Sequence, residues 1–253
     1  MSVDDGIILN YVLLAGKVLA FLLFPGLFWL YLFSGNQIFI SPKKALLPVF
    51  VMGVLVSIPA ITIEYFCILV GKLVETKLTI FITTFFIIAP VEEYLKSLAV
   101  DIAGYYKAAG TYKVTGAREK ETPVQILSWY CAAAIGFASI ENVLYFLVFG
   151  SQVFFYRLLI TTIAHVACSG IIAIFIGNHL KKYGEFGGFA KGYCIASLLH
   201  ASYDFCINLY PYTVWIWVVA FLLIASYLES ILDNDIEEES YKKSITPVIS
   251  SIK

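Results

Sequence analysis

Residues 87–100 read IIAPVEEYLKSLAV, with two adjacent carboxylates, Glu92 and Glu93, and a lysine, Lys96, inside a run otherwise fit only for lipid. A charged side chain at the bilayer centre costs about 2.5–3.5 kcal/mol on insertion scales, so three within two helical turns need partners, water or a chemical task. Helical spacing sets Glu92 four residues and Glu93 three residues before Lys96, so the lysine lies beside either acid. It neutralises one and leaves the other. A structural ion pair therefore explains part of the stretch, and the remaining carboxylate is a candidate general base.

The surrounding chain is equally apolar. Of 253 residues, 60% are hydrophobic and 14% charged, and the mean hydropathy is +0.85, far from the make-up of an ordinary soluble domain. Apolar runs long enough to cross a bilayer of ~30 Å recur. They predict an all-α, polytopic transmembrane helical bundle of about seven spans, at 7–33, 45–71, 78–103, 124–149, 153–180, 188–209 and 212–228. Residues 1–228 form a single transmembrane domain with its motifs between 92 and 204, a polar loop falls near 104–123, and 229–253 is an acidic, solvated cytoplasmic tail. The first span follows the acidic MSVDDG and is too long for a signal-peptide core, so it is read as retained.

With the N-terminus outside, the cytoplasmic segments hold Lys43, Lys44, Lys107, Lys113, Arg118, Lys120, Lys181, Lys182, Lys191, Lys242, Lys243 and Lys253, and the outer ones only Lys72, Lys77 and Arg157. Positive residues near span ends favour the cytoplasm, which sets the orientation as N-out, C-in in the cell membrane. Cys67, Cys131, Cys168, Cys194 and Cys206 show no C-x-x-C spacing, which argues against a thiolate metal site. Neither the net charge of -1 nor any basic patch suggests nucleic acid.

Other spans carry polar residues of the same kind. The fourth reads AAAIGFASIENVLYF, with Glu141 and Asn142 after a small-residue run suited to close helix packing. On the fifth, Thr161, His165 and Ser169 recur every four residues; on the sixth, Ser197, His200, Asp204 and Asn208 form a second stripe. Asp204 acting only to fix the His200 tautomer would make that pair a hydrogen-bonding strut. Counted from the outer ends of their spans, Glu141, His200, His165 and Glu93 lie within about 10 Å of one another in depth at ~1.5 Å per residue, so one shared cavity is possible.

Taken in order, E-E-x-x-K at Glu92, Glu93 and Lys96, F-x-x-x-E-N at Phe137, Glu141 and Asn142, a central His165, and H-x-x-x-D at His200 and Asp204 resemble the PrsW family of intramembrane proteases. That family is a branch of the group that includes CAAX-prenyl endopeptidases and bacteriocin-processing enzymes. Lys96, Glu141 and Asp204 depart from the CAAX-endopeptidase pattern and favour the PrsW branch. The resemblance covers the middle four spans. It implies cleavage of membrane-associated proteins, with an anti-sigma factor released by a first cut as the suggested substrate.

The residue chemistry supports hydrolysis. Imidazoles and carboxylates suit zinc, which lowers the pKa of bound water towards about 7 and polarises a carbonyl. Glu92 or Glu93 is then the base, oriented by Lys96, and Glu141, His165, His200 and Asp204 are the pool of zinc ligands, with Phe137 and Asn142 in support. A metal-free glutamate/histidine mechanism uses the same side chains. A proton- or cation-coupled transporter is the rival from another class, and it predicts an internal repeat that the sequence lacks.

Overall fold

In the computed structural model, residues 11–18, 26, 43–71, 76–115, 123–150, 152, 156–183, 187–224, 226–227 and 230 are described. Among them there is no strand. The protein is a helical bundle.

Its centre is the most buried of the helices, built around the small run Ala132, Ala133, Ala134 and Gly136. Helix α4 is taken here as Pro123–Phe149, after α1 (Lys43–Gly71), α2 (Lys77–Thr83) and α3 (Ala89–Thr115). Pro123 suits the first helical position because its missing N–H would find no partner there. Ala132, Ala133, Ala134 and Ile135 are wholly buried. On the side facing α1 the two backbones touch: a Cβ on Gly53 would strike the Ala133 carbonyl, and one on Gly136 the Phe50 carbonyl. In lipid, where apolar surface gains little by leaving the solvent, such close backbone approach is how helices adhere.

Beyond α4 come α5 (Thr162–Tyr183), α6 (Phe189–Leu209) and the shorter apolar α7 (Pro211–Ile224). Gly188, in the left-handed region at φ 81°, begins α6, and a side chain there would meet the Phe175 carbonyl. Helices α1, α4, α5, α6 and α3 pack in that order into a closed ring. Helix α7 lies against α6, where Tyr203 meets the rings of Phe221 and Trp217 at 5.3 and 5.9 Å.

Two π turns interrupt the α pattern. Thr84–Ile88 joins α2 to α3, with the Ala89 N–H bonding the Thr84 carbonyl five residues back. In a regular helix the Pro90 ring would clash with the carbonyl of Phe86, and the wider turn relieves this. The second, Arg157–Thr161, leads into α5, and the Thr162 hydroxyl donates to the Arg157 carbonyl at 2.9 Å.

Helix boundaries at 45–71, 124–149 and 188–209 fall within about two residues of the expectation. The expected loop near 104–123 is corrected: α3 continues to Thr115. Its alanines and lysines are good helix formers although the segment is less apolar, and no proline intervenes before Pro123. Among the described residues four helices are long and apolar enough to cross a membrane, Leu46–Cys67, Lys77–Ala103, Pro123–Phe149 and Thr162–Tyr183. Helix α6 has 21 residues but carries Lys191, His200, Asp204 and Asn208, which lower its hydropathy. Residues 11–18 and 26 of the expected first span are helical. The rest of that span, and the tail at 229–253 apart from Ser230, lie outside the described residues.

Candidate active site

Every helix of the ring contributes an ionisable side chain to one region. Glu92, Glu93 and Lys96 come from α3, Glu141 from α4, His165 from α5 and His200 and Asp204 from α6, while α1 adds Glu64. Glu93 and Lys96 are wholly buried and joined at 2.6 Å. Glu92 lies 3.8 Å from the same ammonium.

The hydrogen bonds fix both imidazoles. An ammonium only donates, so His165 accepts Lys96 Nζ at Nδ1, 2.8 Å away, and carries its proton on Nε2, which donates to Glu141 Oε2 at 2.9 Å. His200 is the reverse. Its Nδ1–H donates to Glu93 Oε1 at 2.8 Å, and its Nε2 lies 3.3 Å from Asp204 Oδ2 and 3.7 Å from Glu92 Oε2. Glu93 is thus used up: Oε1 takes Lys96 and His200, and Oε2 takes the Ser169 hydroxyl at 3.3 Å. Glu92 is not, for its Oε2 is buried with no hydrogen-bond partner.

That oxygen faces a polar cavity of about 60 Å³. At about 15 Å³ per probe-sized site the space holds a few waters. Glu92, Glu141, His165, His200 and Asp204 line it, together with Glu64 and Arg157. The residues singled out by sequence are therefore brought together, with Glu93 and Lys96 just behind the lining. Phe137 supports from below, its ring 4.9 Å from Lys96 Nζ and 5.8 Å from the His165 ring. Asn142 donates to Thr162 Oγ1 at 3.3 Å and accepts from Arg157 Nε at 3.1 Å.

Arg157 corrects the topological reading. It is not an exposed outer-loop cation but is buried, its Nη2 2.7 Å from Glu141 Oε2 and its guanidinium 3.9 Å from the Tyr145 ring centre. A signal existed: Arg157 extends the Thr161, His165, Ser169 stripe by one step of four. Glu64 was likewise passed over, although it is a carboxylate inside an apolar span.

A metal fits the donor set. One ligand atom each from Glu92, His165 and His200 lies within 4.8 Å of the others, and a second group of Glu64, Glu92 and Glu141 shares Glu92. Donors on a tetrahedral zinc with bonds of 2.0–2.1 Å stand about 3.3 Å apart, close to the 3.3 Å between His200 and Asp204 and the 3.7 Å between His200 and Glu92. The orphaned Glu92 oxygen and bare His200 nitrogen suit it. Glu93 behind His200 Nδ1 is the carboxylate partner that metal-bound histidines usually have.

A helical membrane bundle with a water-sized, carboxylate- and imidazole-lined cavity among its helices defines a class of buried hydrolytic site. The comparisons narrow it: the profile described as PrsW family intramembrane metalloprotease matches residues 41–227. The chain belongs to the PrsW family and is an intramembrane protease. It is 23% identical over 211 residues to Protease PrsW of Oceanobacillus iheyensis, covering 77% of this chain and 88% of that protein. To Protease PrsW of Shouchella clausii it is 23% identical over 183 residues, covering 70% and 77%. No solved structure matches the chain.

Proposed function

We propose that the protein is a multi-pass endopeptidase of the cell membrane, N-out and C-in, which cuts single-span or membrane-associated proteins near their extracytoplasmic boundary. An anti-sigma factor is the proposed substrate type. The observation that carries the reading is Glu92 Oε2, buried and without a hydrogen-bond partner, beside the bare Nε2 of His200 at a polar cavity. With Arg157 committed to Glu141, only Lys72 and Lys77 remain as outer cations, which supports the orientation.

Glu92 is the general base of this reading. Its Oε2 takes a proton from a cavity water as the water oxygen bonds to the scissile carbonyl carbon, and then returns that proton to the amide nitrogen as the C–N bond breaks. Glu93, saturated by Lys96, His200 and Ser169, holds His200 in its Nδ1–H tautomer. The ring of helices keeps bulk solvent out. Zinc is the proposed cofactor, with His200, Asp204 and His165 as its ligands, the last only when Lys96 gives up His165 Nδ1, and with Glu92 adjacent; when bound it would polarise the carbonyl and lower the pKa of water towards about 7. Glu141, occupied by His165 and Arg157, then supports the ligand set without belonging to it.

One contact favours a second reading. Lys96 Nζ fills the His165 Nδ1 lone pair, as a metal-free mechanism would have it. There Glu92 activates water, and His200, protonated on Nε2, faces the developing oxyanion.

Purified full-length protein in lipid discs, given a panel of single-span substrates, decides among these. Cleavage near the outer boundary, mapped by mass spectrometry, and a bound zinc lost in His200→Ala are expected. Active, chelator-resistant and metal-free protein would select the second mechanism. A cut on the cytoplasmic side would overturn the orientation.

A further inference from the structure

The buried arginine remains without a role in that chemistry. Arg157 reaches across from the start of α5 to three side chains of α4, at Glu141, Asn142 and Tyr145. A fork of planar donors meeting a carboxylate and an amide oxygen over an aromatic face has one orientation, which a lysine ammonium would not impose. The π turn Arg157–Thr161 aims it there, tied by the Thr162 hydroxyl on the Arg157 carbonyl, and Thr162 in turn accepts from Asn142.

The consequence lies one bond further on. Glu141 Oε2 accepts from both Arg157 Nη2 and His165 Nε2. Beyond His165 the chain of contacts runs through Lys96 and Glu93 to His200, each step between 2.6 and 2.9 Å. Cations and carboxylates alternate along it, and His165 is held in one tautomer by the groups on either side. Without Arg157, Glu141 loses the cation opposite His165 and is free to turn, so His165 loses the acceptor that keeps its proton on Nε2.

We infer that Arg157 is a positioning residue of this site: its guanidinium fixes Glu141, and through Glu141 it fixes the tautomer and orientation of His165. The kinetic part rests on the protease reading above. The motif pair Glu141–Asn142 is explained by the same contact, since the two adjacent side chains together form the seat of the guanidinium.

The test uses full-length Arg157→Gln and Arg157→Lys in lipid discs. The chain has 3 histidines, so nitrogen-15 NMR of histidine-labelled protein assigns His165 as the signal absent from His165→Gln. Wild type should show His165 protonated on Nε2 alone. In Arg157→Gln that single tautomer should be lost and kcat should fall about 10- to 100-fold with KM little changed, as for other residues behind a ligand. Arg157→Lys should recover part of both. Wild-type kcat in Arg157→Gln, or a loss of kcat with the His165 signal unchanged, would overturn the inference by leaving Arg157 a helix staple. If Arg157→Gln does not fold, Arg157→Lys is read by the same two criteria. If wild type cleaves no substrate the protease reading fails by itself, and the imidazole signal still decides the role of Arg157.

Discussion

Helix α4 meets its neighbours in two ways within one length. Around Gly136 it is smooth, and it touches α1 backbone to backbone. Two turns later, from Glu141 to Tyr145, it meets α5 through a carboxylate, an amide and a ring gathered on one guanidinium. Both are answers to an environment where apolar contact alone binds helices weakly. The seam depends on volume and is indifferent to charge, whereas the cavity wall depends on charge and keeps space for water.

The sharpest way to break the polar side without the smooth one is Glu92→Gln. Its Oε2 accepts no hydrogen bond, so insertion and thermal stability in detergent should stay near wild type while cleavage falls about 10²- to 10⁴-fold, the usual worth of a general base. Activity in that variant would place the base elsewhere. Glu93→Gln should lose activity as well, but with stability, because a buried pair is broken: about 3–5 kcal/mol, read as a lower unfolding midpoint. Equal midpoints for the two variants would contradict the division of labour between adjacent glutamates.

On the smooth side, Gly136→Val sets two methyl groups towards the Phe50 carbonyl. Overpacking of this kind costs about 1–3 kcal/mol, and cleavage per folded molecule should be unchanged, as measured by active-site-normalised rates. The smallest effect is expected from Ser169→Ala, which removes one 3.3 Å bond from Glu93. Loss of about 1 kcal/mol in stability and a few-fold in rate would fit a single neutral donor.

The bundle was legible because lipid imposes length and apolarity. Two features were not. The π turns depend on how Pro90 and Arg157 are accommodated, which hydropathy does not register, and α3 runs on to Thr115 because leaving an apolar run is no reason to leave a helix. Of the site, Glu92, Glu93, Lys96, Glu141, His165, His200 and Asp204 stood out as charge where lipid rejects it. The distinction between the two glutamates did not, for it lies in which side chain finds partners on α5 and α6. Arg157 hid near a span end, where a cation is ordinarily a marker of orientation.

The π turn at Thr84–Ile88 makes the site a matter of counting. One residue is 100° of rotation in an α-helix of 3.6 residues per turn. Closing Thr84–Ile88 into α geometry with every residue kept, the change that Pro90 opposes, would turn Glu92, Glu93 and Lys96 about 100° relative to α2. An enzyme whose acids are all present would then point them at the wrong neighbours, its chemistry erased by a change of phase in a segment that carries none of those acids.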